Sequence, residues 1–222
     1  MEVHAHSHTA RKKWTHYLWE FLMLFLAVFC GFLAENQREH MIEHQREKKY
    51  IIYYDSLVYL LKNYQDSYLN DIYFYARHAG RKTDFDYHNR TIQQLKSSGN
   101  LRLIRSNDAA DSITIYDNEV INTVLDQQKT TEAPIRNDIM ASYIGKIFNA
   151  YEWDEMVDDT AGISRTGHDP KLFNRNAKDL NDFLVRMIQL KTAYRITNGN
   201  IKTAIRSAEN LIMLLKEEYQ LE

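Results

Sequence analysis

The sequence has very little cysteine, proline or glycine. Its 222 residues include 1 Cys, 2 Pro and 7 Gly. Because tight turns usually need Gly or Pro, this scarcity argues against collagen-like, low-complexity and turn-dense all-β structures. The single cysteine, Cys30, excludes a disulfide framework and any zinc module built from cysteines. The length suits one globular domain with a sizeable core.

The chain also lacks an excess of charge of either sign. It has 28 Lys and Arg against 30 Asp and Glu, which gives a net charge of −2. Since nucleic-acid-binding domains usually carry a basic surface, we expect no nucleic-acid partner. The sequence contains no P-loop, no dinucleotide fingerprint and no nucleophile-elbow motif. We therefore expect a protein that is not an enzyme and that uses no cofactor.

One long apolar run lies near the N-terminus. Residues 21–34, with the sequence FLMLFLAVFCGFLA, include no polar side chain. A helix over 14–34 would rise about 30 Å, which matches the hydrocarbon core of a bilayer. Trp14, Tyr17 and Trp19 cluster at one end, where amphipathic aromatic rings favour the headgroup level. These features predict a transmembrane helix, with the lipid bilayer as its partner.

A cleaved signal peptide is the alternative interpretation of this run. Cleavage after Ala34 would place the bulky Phe32 at the −3 position, where a small residue is needed, so we favour an uncleaved anchor. Arg11, Lys12 and Lys13 end a short N-terminal tail. Because positively charged flanks usually stay in the cytoplasm, we expect tail 1–13 to be cytoplasmic and the C-terminal domain to lie outside.

Apolar residues beyond the membrane segment recur at spacings of three and four, which predicts helices. The first such stripe consists of Tyr50, Tyr54, Leu57, Leu61, Tyr64, Tyr68, Ile72 and Tyr75. No Pro or Gly occurs between the membrane segment and Gly80, so we expect one helix from about Lys13 to Ala79. Residues 35–49 are mostly charged or polar and predict a solvated helical stalk. The predicted fold class is all-α, in which a transmembrane helix continues into a stalk helix that joins an antiparallel helical bundle over 50–222.

Further helices are predicted in the middle of the chain. One is expected from Asp84 to Gly99, followed by a short extended link over 101–104. A long helix is expected to begin near Asn107, where Asn and Asp provide a cap. Pro134 is expected to kink or restart this helix, because proline lacks the backbone N–H and clashes with the preceding turn.

The last part of the chain predicts one loop and one long helix. Residues 154–169 hold two Gly and several Asp and predict the longest loop. The final helix is expected from about Leu172 to Tyr219. The sequence Asn198-Gly199-Asn200 predicts a break within it.

Two short runs resemble a group of uncharacterised bacterial proteins. These runs are WEFLMLFLAVFCGFLAENQREH, from Trp19 to His40, and TIQQLKSSGNLRLI, from Thr91 to Ile104. The shared plan of these proteins is one N-terminal membrane helix followed by a helical extracytoplasmic domain of unknown function. The resemblance implies a single-pass protein of the bacterial inner membrane with a periplasmic domain. It implies no activity and no catalytic residues.

His40, Glu43 and His44 form an H-x-x-E-H motif. On a helix the two His face the same way, so they could hold a zinc ion while Glu43 polarises a water, as in inverted-zincin peptidases. Those peptidases place the motif in a much larger α/β domain, and this sequence predicts no sheet. We therefore expect solvated stalk side chains and keep a zinc metallopeptidase as a remote alternative.

His4, His6 and His8 alternate in the N-terminal tail. Neutral imidazoles at such spacing can chelate a transition metal. Together with Arg11–Lys13, they can equally add positive charge at the membrane surface. We assign no metal site to either group of histidines.

Small residues recur on one face of the predicted membrane helix. Ala27 and Gly31 are four residues apart, and Ala34 follows. Such a face allows two helices to approach closely in lipid. These three residues are the candidate interface of a homo-oligomer.

The sequence therefore favours a membrane-anchored, non-enzymatic scaffold or an accessory subunit of a membrane protein complex. The alternative is a ligand-sensing helical bundle. A sensor of this kind would act through a partner, because the 13-residue tail predicted on the cytoplasmic side is too short to hold an output domain.

Overall fold

The structure, a computed structural model, describes residues 14–65, 67–81 and 84–220. Within these residues the fold is all-α, as predicted, and the only β-type pairing described is an isolated bridge between Val157 and Ile163. The helices are α1 (Trp14–Lys62), α2 (Leu69–Ala79), α3 (Arg90–Ser97), a 3₁₀ turn (Asn100–Leu103), α4 (Asn107–Glu119), α5 (Ala133–Asp138), α6 (Gly145–Ile147), α7 (Ala150–Glu155) and α8 (Ala177–Tyr219).

Three long helical rods form the bundle. The first is α1, and the second is the continuous helix over 107–147, which we call the middle helix. The third is α8, which runs antiparallel to α1. This direction follows from the packing, because the start of α1 contacts the second half of α8 and the end of α1 contacts its first half.

The bundle has two apolar cores, one towards each end. The first core joins Tyr54–Leu61 of α1 to α2, to the end of the middle helix and to Leu180–Tyr194 of α8. The second core joins Leu26, Phe29 and Leu33 of α1 to α3, α4 and the second half of α8. Residues with mainly polar side chains separate the two cores along each rod.

The first helix ends earlier than predicted. Instead of continuing to Ala79, α1 ends at Lys62 and α2 folds back against it. Asn63 Nδ2 donates to the Tyr59 carbonyl at 2.9 Å, and Ser67 Oγ donates to the Asn63 carbonyl at 2.8 Å. These side-chain donors satisfy carbonyls that a helix end leaves without partners, so the chain turns without Gly or Pro.

The segment between α2 and the middle helix also differs from the prediction. The helix expected from Asp84 begins only at Arg90, and the link expected to be extended is the 3₁₀ turn. Gly99 separates the two with a φ of 70°, a left-handed conformation that glycine adopts at low cost. The middle helix begins where expected, with Ser106 Oγ accepting from the Ala109 N–H at 3.3 Å.

The middle helix passes Pro134 without a break. Three π-helical segments widen it, at Val120–Leu125, Gln128–Glu132 and Ile139–Ile144. Pro134 lies in the first turn of α5, directly after the second wide segment. The missing N–H of a proline costs little at such a position.

The last helix begins later than predicted and has no break. Asn176 caps α8, its Oδ1 accepting from the Lys178 N–H at 2.9 Å. At the expected break, Asn198 is buried, and Asn200 Nδ2 donates to the Thr123 carbonyl at 3.1 Å. The two Asn side chains contribute to helix packing rather than to a turn, and the helix continues through Gly199.

The prediction of a solvated stalk over 35–49 is wrong for the side of α1 that faces the bundle. Asn36 and His40 are buried at 1% and 0% exposure. They extend the packed face of Leu26, Phe29 and Leu33 at spacings of three and four. The bundle therefore begins within the segment predicted to span the membrane and not at residue 50.

Several predicted features lie outside the described residues. They include the tail 1–13 with His4, His6 and His8, and the side chains of Trp14, Leu18 and Glu43. Across the residues that the structure does describe, no helix offers a stretch both long enough and apolar enough to cross a bilayer.

Candidate functional site: a buried polar belt

Buried polar side chains from all three rods meet between the two apolar cores. We call this layer the polar belt. It consists of Asn36 and His40 of α1, Gln128 and Glu132 of the middle helix, and Thr197 and Asn198 of α8, all of them less than 9% exposed. Because buried polar groups cost free energy unless they are hydrogen-bonded, the contacts of the belt decide what it can do.

His40 is the centre of the belt on the α1 side. Its Nε2 lies 3.2 Å from Tyr116 Oη in a buried hydrogen bond, and its ring stacks on Phe85 with centroids 4.4 Å apart. Burial disfavours the imidazolium and lowers the pKa of His40 to about 4. His40 is therefore neutral near pH 7 and packs as a core residue.

The belt is joined to a second buried group around Asp117, next to Tyr116. The Asp117 carboxylate accepts from Tyr87 Oη at 2.8 Å and from Lys96 Nζ at 2.5 Å. Burial, followed by the neighbouring Tyr116 and Asp117, raises the pKa of Tyr87, which stays a neutral donor. Lys96 lies on α3, so this ion pair attaches α3 to the middle helix.

The α8 side of the belt is held by side-chain contacts between rods. Thr197 Oγ1 donates to the Glu132 carboxylate. Gln128 Oε1 accepts from the Phe85 backbone N–H at 3.2 Å. In the part of the chain that the structure covers, Gln128 Nε2 and Asn198 Oδ1 have no hydrogen-bond partner. These contacts position the rods against one another.

The H-x-x-E-H motif is thus divided between two environments. His40 is in the core, whereas His44 is half-buried, and the Glu43 side chain lies outside the described residues. Burial, with smaller contributions from Lys48 and Lys202, lowers the pKa of His44. Among the described side chains, neither His belongs to a group of three potential metal ligands.

The one such group that the described residues form lies elsewhere. Ligand atoms of Glu152, Glu155 and His168 lie within 4.8 Å of one another at the surface. His168 Nε2 is 2.8 Å from Glu152 Oε2, and this contact fixes the loop before α8 onto α7. Glu152 and Glu155 are three residues apart on α7, but His168 lies in the following loop, and no spacing in the sequence predicts that it meets them.

The candidate oligomer residues Ala27, Gly31 and Ala34 all lie on the exposed side of α1. Leu24 and Val28 lie on the same side and are 66% and 60% exposed. A Cβ added at Gly31 would meet no atom within 4 Å. We call this surface, formed by these five residues, the outer face of α1.

The polar belt itself was missed because only apolar residues were followed along α1. Its signal was present, since Leu33, Asn36 and His40 continue the spacing of three and four. A polar residue at a core position of a helix is a recognised device for fixing helix register. Following the spacing through polar residues would have placed His40 in the core.

Comparisons with known proteins do not add to this picture. No protein-family model, no curated protein and no solved structure matches the chain. The resemblance to uncharacterised bacterial membrane proteins therefore stays a prediction. The functional argument rests on the residues and their geometry.

Proposed function

We propose that the protein is a non-enzymatic scaffold or accessory subunit of a bacterial membrane complex, anchored by the first part of α1. In this proposal residues 14–34 span the inner membrane, the tail 1–13 is cytoplasmic and the bundle is periplasmic. The observation that carries the proposal is the outer face of α1, where Leu24 and Val28 are exposed within a segment, residues 21–34, that has no polar side chain.

The distribution of apolar residues supports an anchor rather than an ordinary surface helix. A surface helix of a globular protein is apolar on the face that packs and polar on the opposite face. Residues 21–34 have no polar side chain on any face. Of the side chains that the structure describes in this run, the bundle fully buries Leu26, Phe29 and Leu33. A helix that is apolar all round is typical of a membrane span or of a fully covered core.

The energy of the exposed side chains supports the same proposal. Transfer of a Val or Leu side chain from water into an apolar environment contributes about 1.5–3 kcal/mol. Leu24 and Val28 remain largely in water in the bundle, although α1 packs there against α3, α4 and α8. Lipid around this part of α1 would cover both side chains.

The buried groups of the polar belt support a scaffold role. His40 joins α1 to the middle helix, and Glu132 joins the middle helix to α8. The neighbouring Asp117 joins the middle helix to α3. Such an arrangement favours a rigid body that presents surfaces to a partner.

Membrane fractionation of the full chain tests the anchor. We expect the wild type in the membrane pellet and resistant to carbonate extraction. Val28→Glu should release a large part of it, since a charge at the centre of a span costs about 3 kcal/mol. Ile52→Glu is the matched control, because Ile52 is 62% exposed on the same helix beyond the apolar run.

Two results would contradict the proposal. Wild-type protein in the soluble fraction would exclude the anchor, and equal release of the two variants would exclude the outer face as the lipid contact. A reporter that is active only outside the cytoplasm, fused after Glu222, tests the orientation. We expect it to be active, and activity of a cytoplasmic reporter instead would reverse the topology.

A further inference from the structure

Three potential metal ligands meet where the loop before α8 folds back onto α7. Glu152 and Glu155 are three residues apart on α7, and residues at this spacing lie side by side on one face of a helix. His168 comes from the loop, and ligand atoms of the three side chains lie within 4.8 Å of one another. We call these three residues the α7 ligand group. It shares no residue with the polar belt or with the outer face of α1.

A buried side chain of α2 fixes the loop on which His168 lies. Asn70 is 1% exposed, and its Nδ2 donates to the carbonyls of Thr166 and His168, both at 2.8 Å. Its Oδ1 accepts from the Thr166 N–H at 3.1 Å. The Asp169 carboxylate in turn accepts from the Asn70 N–H at 3.0 Å. The backbone on both sides of the His168 imidazole is therefore held by the fold.

The position of α7 is fixed from the same helix. Tyr73 of α2 is fully buried, and its Oη accepts from the Asn149 N–H at 2.7 Å, directly before α7. The same Oη donates to the Lys171 carbonyl at 2.9 Å, three residues after His168. One buried side chain thus sets the spacing between α7 and the loop. A site whose parts are held in this way has a low ordering cost on binding.

The two carboxylates of the α7 ligand group have little opposite charge beside them. His168 Nε2 lies 2.8 Å from Glu152 Oε2, whereas Glu155 has no hydrogen-bond or ion-pair partner among the described residues. Arg77 of α2 is attracted to a different carboxylate of α7, that of Asp154. Since two carboxylates that share a site repel each other, a cation between them is favourable.

The donor set favours zinc over the alkaline-earth ions. Calcium and magnesium prefer oxygen ligands alone, whereas zinc binds imidazole nitrogen and carboxylate oxygen equally well. Bonds to zinc are about 2.0–2.2 Å long, so two ligands of one ion lie at most about 4.4 Å apart. The spread of 4.8 Å in the α7 ligand group is therefore closed by a small movement of the side-chain ends.

We propose that the α7 ligand group binds a single Zn²⁺ ion through Glu152, Glu155 and His168. Three protein ligands leave one position of a tetrahedral zinc ion for water. The ion bridges α7 to the loop before α8 and holds that loop against the bundle. This inference goes beyond the proposed scaffold function, because it makes the shape of one surface of the bundle depend on a metal ion.

Calorimetric titration of the full chain with Zn²⁺ in mild detergent tests the proposal. The background protein carries His4→Gln, His6→Gln and His8→Gln, which removes the competing imidazoles of the tail. We expect it to bind a single Zn²⁺. Glu155→Gln in this background should weaken binding at least about tenfold, since even residues behind metal ligands contribute that much. Glu218→Gln, at an exposed carboxylate on α8, is the matched control and should bind as the background does.

A pair of histidine variants tests the loop ligand. His168→Gln should also weaken binding at least about tenfold. His88→Gln is its matched control, because the two side chains are each 53% exposed and each lies beside a carboxylate. Hydrogen exchange gives a readout that does not depend on affinity. Zn²⁺ should slow exchange of the loop amides over 163–171 in the background protein and not in Glu155→Gln.

Melting curves without metal confirm that each variant is folded, and Glu155→Gln, at an exposed position, decides the outcome if His168→Gln is not. The proposal is overturned if the background protein binds no Zn²⁺ or if Glu155→Gln binds it as tightly as Glu218→Gln. Several weakly held ions that neither variant removes would show an adventitious ion only, and they would overturn it as well.

Discussion

At the scale of single residues, the polar belt places His40 where an imidazolium is costly. Its Nε2 is hydrogen-bonded to Tyr116, and its Nδ1 has no partner among the described atoms. A protonated ring would need a second acceptor for Nδ1, which the surroundings do not provide. Folding therefore favours the neutral form.

We expect this preference to make stability depend on pH. The pKa of His40 falls from 6.5 to about 4 on folding. As the pH is lowered, His40 therefore binds a proton in the unfolded chain before it does so in the folded chain. Neutral His40 makes its full contribution to the free energy of unfolding above about pH 6.5. This contribution is lost as the pH falls to about 4, which lowers the free energy of unfolding by up to about 3 kcal/mol. Denaturant unfolding of the full chain in detergent, at steps across this interval, measures it.

Substitution of His40 identifies the source of the slope. His40→Leu removes the titrating group and should flatten the pH dependence, although His44 and His78, whose pKa values burial also lowers, leave a smaller slope. His88→Gln, at an exposed His, should keep the full dependence. The same slope in His40→Leu as in the wild type would show that His40 is not the residue responsible.

At the scale of elements, the middle helix keeps one face inward by widening. Its buried residues Tyr116, Val120, Val124, Gln128 and Glu132 are each four apart. In a regular α-helix, a step of four overshoots a full turn by about 40°, so four steps would turn Glu132 about 160° away from Tyr116. The π-helical segments take more residues per turn and remove this drift.

We expect single-residue deletions to distinguish wide turns from regular helix. Deleting Asn122, exposed in the first π-helical segment, shortens a turn that already holds an extra residue. Deleting Lys202, exposed in the regular part of α8, rotates one half of that helix by about 100° and moves its packed face off the core. The second deletion should therefore cost at least about 3 kcal/mol more than the first in free energy of unfolding.

The measurement is again denaturant unfolding, with helical content followed by circular dichroism. Equal losses for the two deletions would mean that the wide segments do not absorb a residue. A greater loss for the Asn122 deletion would contradict the role of the wide turns in aligning the buried face.

The elements also show which parts of the fold the sequence could predict. Spacings of three and four predicted the helices, and the rarity of Gly and Pro predicted their length. The turn after Lys62 could not be predicted, because Asn63 and Ser67 end a helix only where α2 can fold back and cover α1. The continuity of α8 was missed for the opposite reason, since Asn198 and Asn200 contact other rods and local turn preference is overridden.

The same limit applies to the candidate site. His168 lies beside Glu152 and Glu155 because the loop before α8 folds back onto α7, and no spacing in the sequence predicts this contact. Sites assembled by such long-range contacts leave no local pattern.

At the scale of the whole molecule, the outer face of α1 predicts a homo-oligomer in the membrane. We expect a mass above that of one chain in mild detergent. Gly31→Leu should lower it, because the bulky side chain keeps two helices apart, and such contacts contribute about 1–2 kcal/mol in lipid.

Gly199→Leu is the matched control for this prediction. Gly199 is also exposed on a helix, and a Cβ there would likewise meet nothing within 4 Å. It should leave the mass unchanged. A wild type with the mass of one chain would exclude the oligomer, and equal effects of the two substitutions would place the interface away from the outer face.

The polar belt also has a mechanical consequence. Two rods joined by an unbroken apolar surface can slide past each other by one helical turn, about 5.4 Å, and still bury apolar side chains against apolar side chains. Here such a slip would break the hydrogen bonds of His40 with Tyr116 and of Glu132 with Thr197, at a cost of several kcal/mol. The polar belt therefore fixes the register of the three rods along their axes.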